Sequence, residues 1–124
     1  MQQSGQEGGM NDMSGVLADA SAPPPSPATI FEAIVKQQAV AAVYNRGEVT
    51  LAPHIIYTRH GEIYVDAVTL ERDGKPPKEE KLGAFKLAGL QSLRVTPRRF
   101  ARSPLFHPRE PRYEGTTLMA IEGA

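Results

Sequence analysis

Three residues with chemically useful side chains, Tyr64, Lys86 and Arg94, are each flanked on both sides by large apolar residues. If the three segments are β-strands, alternation places these side chains on the faces opposite their apolar neighbours. An aromatic ring beside two cations is suited to stacking a base and neutralising a phosphate. The pattern therefore predicts an anion-binding surface, provided that the three strands are neighbours. An ordinary exposed sheet face fits the same pattern.

Catalytic and metal chemistry find little support in the sequence. The chain has no cysteine, which excludes disulfides and thiolate metal or redox sites. His54, His60 and His107 lack metal-ligand spacing, and no serine lies in a nucleophile-elbow pattern. The adjacent acids Glu79 and Glu80 lie in a polar stretch, as solvated residues do. The sequence predicts a protein that is not an enzyme and uses neither a metal nor a cofactor.

Charge is unevenly distributed along a chain of 124 residues with zero formal net charge. Residues 1–32 carry four acids and no Lys or Arg, whereas residues 86–112 carry seven basic residues and one acid. The basic third is a pointer to an anionic partner, but a solvated, proline-broken tail explains it better, because the arginines are spread out and not interleaved with aromatic residues. With no apolar run long enough for a bilayer and no signal-peptide pattern, we expect a cytoplasmic protein without a membrane partner.

Local patterns predict one helix followed by closely spaced strands. Residues 1–28 are rich in Gly, Ser, Gln and Pro and predict a disordered leader. Ser26 is placed to cap a helix whose first residue is Pro27. Asn45–Glu48 predicts a turn in which Gly47 adopts a positive φ. Strands are expected at residues 39–45, 49–59, 62–70, 82–87 and 90–96.

This order of elements predicts a mainly β (α+β) fold, in which a short helix precedes a small, strongly bent, five-stranded antiparallel barrel. The foldable domain is expected at residues 29–106. Residues 107–124, rich in Arg and Pro, are expected to be a tail. A chain of this size has room for one such domain.

Several segments also match a known family in order. The stretch GEIYV carries Tyr64, and VYNRGEVTLAPHII before it supplies a strand-ending tyrosine and a Pro-His pair. FKLAGL after it supplies a Phe-x-Leu, and Phe100 follows a basic run. Together these segments resemble the WYL domain, named for a Trp-Tyr-Leu run of which this chain keeps the tyrosine. Gly89 stands where that family has an arginine.

The resemblance covers about residues 30–106 and implies a compact barrel of the SH3 or Sm kind. In that family the module usually accompanies a DNA-binding helix-turn-helix in bacterial transcription regulators. There it senses a ligand, often single-stranded nucleic acid or a nucleotide, through basic residues. The resemblance thus implies a stand-alone, WYL-like, ligand-sensing regulatory module.

Five residues are candidates for ligand binding on these grounds. Tyr64 is the residue kept from the signature, and Lys86 and Arg94 are the cations expected beside it. Arg46, in the first turn, is a further candidate to take the place of the arginine missing at residue 89. His54, from the Pro-His pair, completes the set.

An alternative function is a protein-interaction or oligomerisation module without a nucleic-acid ligand. Val68 and Leu70 continue the Tyr64 face as apolar residues, which favours an interface. Tyr64 is then a packed side chain at the rim rather than a ligand contact. Salt dependence separates the two functions, because phosphate contacts weaken steeply as salt rises.

Overall fold

The computed structural model describes residues 24–123. Residues 1–23 of the leader predicted at residues 1–28 therefore lie outside the described residues, and its last two residues belong to the helix. The described chain is mainly β with one helix, as predicted. The elements are α1 (Pro27–Lys36), β1 (Gln38–Tyr44), β2 (Gly47–Arg59), β3 (Glu62–Arg72), β4 (Leu82–Lys86), β5 (Gln91–Arg99) and β6 (Thr117–Ala120), with 3-10 turns at Leu87–Gly89 and Pro111–Tyr113.

The helix begins where the sequence predicts. The Ser26 hydroxyl accepts a hydrogen bond from the Ala28 N–H at 3.1 Å, and Pro27 occupies the first turn. Gln37, at φ 51°, adopts the left-handed conformation that ends α1. α1 packs its apolar side, including Ile30, against the sheet. Within residues 24–123, no helix is long and apolar enough to cross a bilayer.

The strands form one antiparallel sheet in the order β4-β3-β2-β1-β5. The sequence predicts five strands, and the structure has six. β2 is long enough for β1 to pair with its first half, at residues 47–51, while β6 pairs with its second half, at residues 55–57. β4 and β5 are the edges of the path, and among the described residues no ladder joins them into a closed barrel.

Tight turns fix the register of the central strands. Asn45 and Arg46 connect β1 to β2 with φ of 49° and 66°, as a two-residue hairpin loop of type I′ requires. The predicted positive φ of Gly47 is therefore wrong. Gly47 opens β2, and a Cβ there would lie 2.9 Å from a guanidinium nitrogen of Arg72. His60–Gly61 forms the equivalent turn between β2 and β3, with φ of 53° and 77°.

Both faces of the β2–β3 pair are covered. On one face Val65 is buried, as its apolar character predicts, and Ile63 is partly buried against the same core. The other face is covered by residues 101–121, which we call the C-terminal segment. Its apolar anchors, Phe106 and Tyr113, are both buried in the core.

The structure therefore differs from the expectation of a solvated tail at residues 107–124. The described part of that range supplies β6, and Ile121 donates its N–H to the His54 carbonyl at 2.7 Å. The physical reason is that a few well-spaced anchors, among them Tyr113 and Ile121, bury enough surface to hold a segment that is otherwise rich in polar residues.

Candidate functional site

The structure brings two of the predicted site residues together. Tyr64 on β3 pairs directly with Lys86 on β4 and, on its other side, with Tyr57 on β2, so the three side chains form a row. The rings of Tyr57 and Tyr64 are stacked with centroids 6.0 Å apart. The Lys86 ammonium lies 3.4 Å from a carboxylate oxygen of Glu62. This row is therefore partly buried, and its cation already has a counter-ion.

Two further candidates lie elsewhere. Arg94 is opposite Ala41 on β1, so three strands separate it from Lys86 on β4. The prediction that these strands are neighbours is wrong. The 3-10 turn between β4 and β5 carries the chain to the opposite edge of the sheet instead of returning it in a hairpin. Arg46 lies in the β1–β2 turn and is not part of the Tyr64 row.

Asp66, the carboxylate on the Tyr64 face, is only 1% exposed. It accepts hydrogen bonds from the hydroxyl of Tyr57 at 2.7 Å and of Tyr113 at 2.5 Å. The Arg112 guanidinium completes the set at 3.0 Å. Burial, followed by the hydrogen bond to Asp66, raises the pKa of both tyrosines. We call Asp66, Tyr57, Tyr113 and Arg112 the Asp66 cluster.

Arg112 closes the Asp66 cluster from the solvent side. Its side chain is 45% exposed, while the carboxylate behind it is almost fully buried. The guanidinium also bonds Glu110 at 2.8 Å and lies 4.7 Å from the centre of the Tyr113 ring. The carboxylate is thus fully engaged by the protein itself, and it holds the C-terminal segment on the sheet.

His54 is placed inside the fold rather than at a binding surface. It is fully buried, with Nδ1 2.8 Å from the Ala52 carbonyl and Nε2 2.9 Å from the Ser103 N–H. The rings of Phe100 and Phe106 lie 5.4 and 5.5 Å from the imidazole. Burial lowers the pKa of His54. Since both ring nitrogens are bonded, the prediction of a direct ligand contact by His54 does not fit this geometry.

A cavity of about 230 Å³, which we call the β5 pocket, lies beside His54. Val68 and Leu70 of β3 contribute apolar surface to it, and Arg98 and Arg99 of β5 contribute charge. The lining is completed by side chains of β2, of the loop before β4, of Phe100 directly after β5 and of the C-terminal segment, among them Glu80 and Ser103.

The two arginines of the β5 pocket differ in their partners. Arg98 is bound to Glu71 of β3 at 2.9 Å, whereas Arg99 is exposed and has no ion pair within residues 24–123. The pocket therefore offers one fixed and one available cation beside aliphatic side chains. The sequence analysis missed this site, although the Arg98–Phe100 run placed two cations and an aromatic ring together.

The other openings carry weaker chemical signals. One of about 620 Å³ lies along the loop after β3 and mixes cations such as Lys75 and Lys81 with acids such as Asp73 and Glu79. No three His, Asp or Glu side chains converge as metal ligands in the described part of the chain.

Comparison with known proteins gives no relative: no family model matches the chain, and neither does any curated protein or solved structure. Function is therefore argued from the chemistry of the site.

Proposed function

We propose that the protein is a non-catalytic, WYL-like sensing module that binds an anionic ligand, a nucleotide or single-stranded nucleic acid, in the β5 pocket. One observation carries this proposal. Arg99 has no ion pair in the described structure and borders a cavity that Val68 and Leu70 line with aliphatic surface and Glu80 with a carboxylate. A guanidinium beside apolar surface is suited to a ligand that combines a phosphate with a flat, weakly polar ring.

The dimensions of the pocket indicate what part of such a ligand enters it. Its volume of about 230 Å³ is below the roughly 300–1,000 Å³ typical of sites for drug-sized molecules. A single base is thus the largest unit that the cavity encloses, with its phosphate at the arginines of the rim, and a duplex is excluded by size. Arg98, held by Glu71, gives the site a second cation whose position is already fixed.

The path of the chain supports the finer fold of an SH3- or Sm-like barrel. In a flat sheet, the edge strands β4 and β5 would lie about 19 Å apart, four strand spacings. Residues 87–90, mostly a 3-10 turn, connect them, and a 3-10 turn rises only about 2 Å per residue. The sheet must curve strongly, and Tyr44 of β1 indeed contacts Phe85 of β4 with ring centroids 5.1 Å apart.

Titration of the purified protein tests the proposal. Fluorescence anisotropy is followed with a short labelled oligothymidylate, and unlabelled nucleoside monophosphates and triphosphates are used as competitors. We expect binding at low salt that weakens as salt rises. Arg99→Gln is expected to weaken binding and to lower the slope of log K against log salt by about 0.7, the value for one phosphate contact on a single strand.

A matched variant controls for net charge. Arg109→Gln removes the same charge from an exposed arginine that does not line the pocket. It should leave both affinity and salt slope nearly unchanged. If wild-type protein binds none of these ligands at low salt, or if the two variants weaken binding equally, the proposal fails.

The alternative function, a protein-interaction or oligomerisation module, is favoured by a different observation. Val68 and Leu70 line the β5 pocket, so they do not form the expected apolar interface. Instead Val35 on α1 is 70% exposed and Leu118 on β6 is 47% exposed. Sedimentation equilibrium over a range of protein concentrations tests self-association, and Val35→Ser should abolish it if this function is correct.

A further inference from the structure

We infer that His54 makes the β5 pocket acid-sensitive: protonation of its Nε2 releases Ser103 and the start of the C-terminal segment from β2, and so opens the wall of the pocket. The inference rests on the proposed function for the ligand, but the movement itself occurs without ligand. It assigns a regulatory role to a buried side chain that makes no direct contact with solvent.

The hydrogen bonds of His54 define a single protonation state. Nδ1 faces the Ala52 carbonyl, an acceptor, so this nitrogen carries the proton. Nε2 faces the N–H of Ser103, a donor, so this nitrogen must be unprotonated. In the imidazolium both nitrogens carry protons, and the contact with Ser103 then sets two donors against each other.

The groups around His54 also disfavour the imidazolium. Burial lowers the pKa of His54 most strongly, and the cation of Arg102 lowers it further. The Ala52 carbonyl and the carboxylate of Glu80 act in the opposite direction. The remaining charged and aromatic neighbours from the elements packed against the ring and its pocket are Arg98 and Arg99 of β5, Phe100, and Phe106 of the C-terminal segment.

The movement is expected to be local. Ser103 opens a compact turn, in which its carbonyl accepts the Phe106 N–H at 3.2 Å and its hydroxyl accepts the Leu105 N–H at 3.1 Å. Loss of the contact with His54 therefore frees this turn as a unit. Farther along, the Asp66 cluster holds the C-terminal segment through Tyr113 without any histidine.

Proton linkage gives the size of the effect. Burial lowers the pKa of His54 in the closed state, and release of Ser103 lets it rise toward its ordinary value of 6.5, which sets the upper limit of the effect. Between about pH 7.5 and about pH 5.5, the ratio of open to closed turn therefore rises by up to about tenfold. Protection of the Ser103 amide against hydrogen exchange should fall by the same factor, after correction for intrinsic exchange rates.

Hydrogen exchange on the full ligand-free chain tests this directly. Protection is compared between residues 100–107 and residues 62–68 of β3 at both pH values. His54→Gln removes the titrating group while its amide oxygen can still accept the Ser103 N–H, so we expect a flat pH response. The control, His107→Gln, replaces an exposed histidine and should respond as the wild type does.

The expected result is loss of protection at residues 100–107 at low pH, with β3 unchanged. A change below twofold at residues 100–107, or an equal loss in β3, overturns the inference. If His54→Gln does not fold, nitrogen NMR of the wild-type ring decides: a protonated Nε2 near pH 7.5 contradicts it. Ligand titration at both pH values is a separate experiment. If no ligand binds at pH 7.5 and none binds at pH 5.5, the proposed function fails, but the exchange result still stands.

Discussion

One face of β3 is covered in its first half, at Asp66, and borders a cavity in its second half, at Val68 and Leu70. In the first half, Asp66 is sealed beneath the C-terminal segment by two phenol hydroxyls and a guanidinium. In the second half, Val68 and Leu70 line a cavity bordered by arginines. The carboxylate between Tyr64 and Val68 is thus inaccessible, and aliphatic residues line the opening.

Physical chemistry accounts for this difference. A buried carboxylate is tolerated only when donors surround it, and the Asp66 cluster supplies three. At the other half Arg98 is bound to Glu71 and Arg99 remains in solvent, so no side chain of the described structure fills the space between them and β3. Side-chain character therefore predicts function poorly until the partners of each residue are known.

The largest expected effect on stability comes from removing the buried carboxylate of the Asp66 cluster. Asp66→Ala removes the shared acceptor of Tyr57, Tyr113 and Arg112 and should lower the free energy of unfolding by about 3–5 kcal/mol. Urea denaturation measures it. Glu110→Ala, which removes only the exposed partner of Arg112, should cost less than about 1 kcal/mol. Similar costs for the two variants would mean that the Asp66 cluster does not hold the C-terminal segment.

Removing one hydroxyl sharpens the comparison between the Asp66 cluster and the Tyr64 row. Tyr113→Phe should cost about 1.5–3 kcal/mol, because a hydrogen bond to a buried carboxylate is lost. Tyr64→Phe should cost almost nothing, since the Tyr64 hydroxyl has no hydrogen-bond partner among residues 24–123. Thermal and urea denaturation compare the two. Equal losses would show that Tyr64 is bonded as its neighbours are.

Acid should lower the free energy of unfolding through His54, which lies beside the β5 pocket at the Val68–Leu70 half of the face. The pKa of His54 is lowered in the folded state, so below pH 6.5 the unfolded chain binds more protons than the folded chain. Stability from this group is complete above pH 6.5 and declines as pH falls toward the folded pKa. The contribution lost between about pH 7.5 and about pH 5.5 is up to about 1.4 kcal/mol. Urea denaturation at several pH values should show this slope in the wild type, and its persistence in His54→Gln would contradict the assignment.

The smallest expected effect concerns the wall of the β5 pocket. Arg98→Ala breaks an exposed ion pair with Glu71 and should cost less than about 1 kcal/mol of stability. Ligand affinity should nevertheless fall, because a positioned cation is lost. Glu71→Ala is the matched variant and should leave affinity unchanged or raise it. A loss of stability without any change in affinity would remove Arg98 from the binding site.

Local sequence patterns predicted what depends on local physics. The Ser26 cap and five of the strands follow from capping chemistry and alternation over a few residues. The placement of Arg94 failed, because strand order depends on how the chain returns after β4 and not on the residues of β5.

The prediction of the candidate site was incomplete for a related reason. Asp66 and Tyr113 are separated by 47 positions, and no local sequence pattern around either residue predicts their contact. The burial of His54 depends in the same way on Ser103, 49 positions later. A polar residue on an alternating strand is read as exposed until a distant segment is known to cover it, and here the C-terminal segment covers both.

The central claim is that ligand enters at the Val68–Leu70 half of β3 and not at the Tyr64 row. Nitrogen–proton correlation NMR of the wild-type protein, titrated with a nucleoside monophosphate at low salt, tests it most directly. We predict that the amide shifts concentrate at Val68, Leu70 and residues 98–103. Shifts concentrated at Tyr64 and Lys86, with residues 98–103 unchanged, would contradict the account.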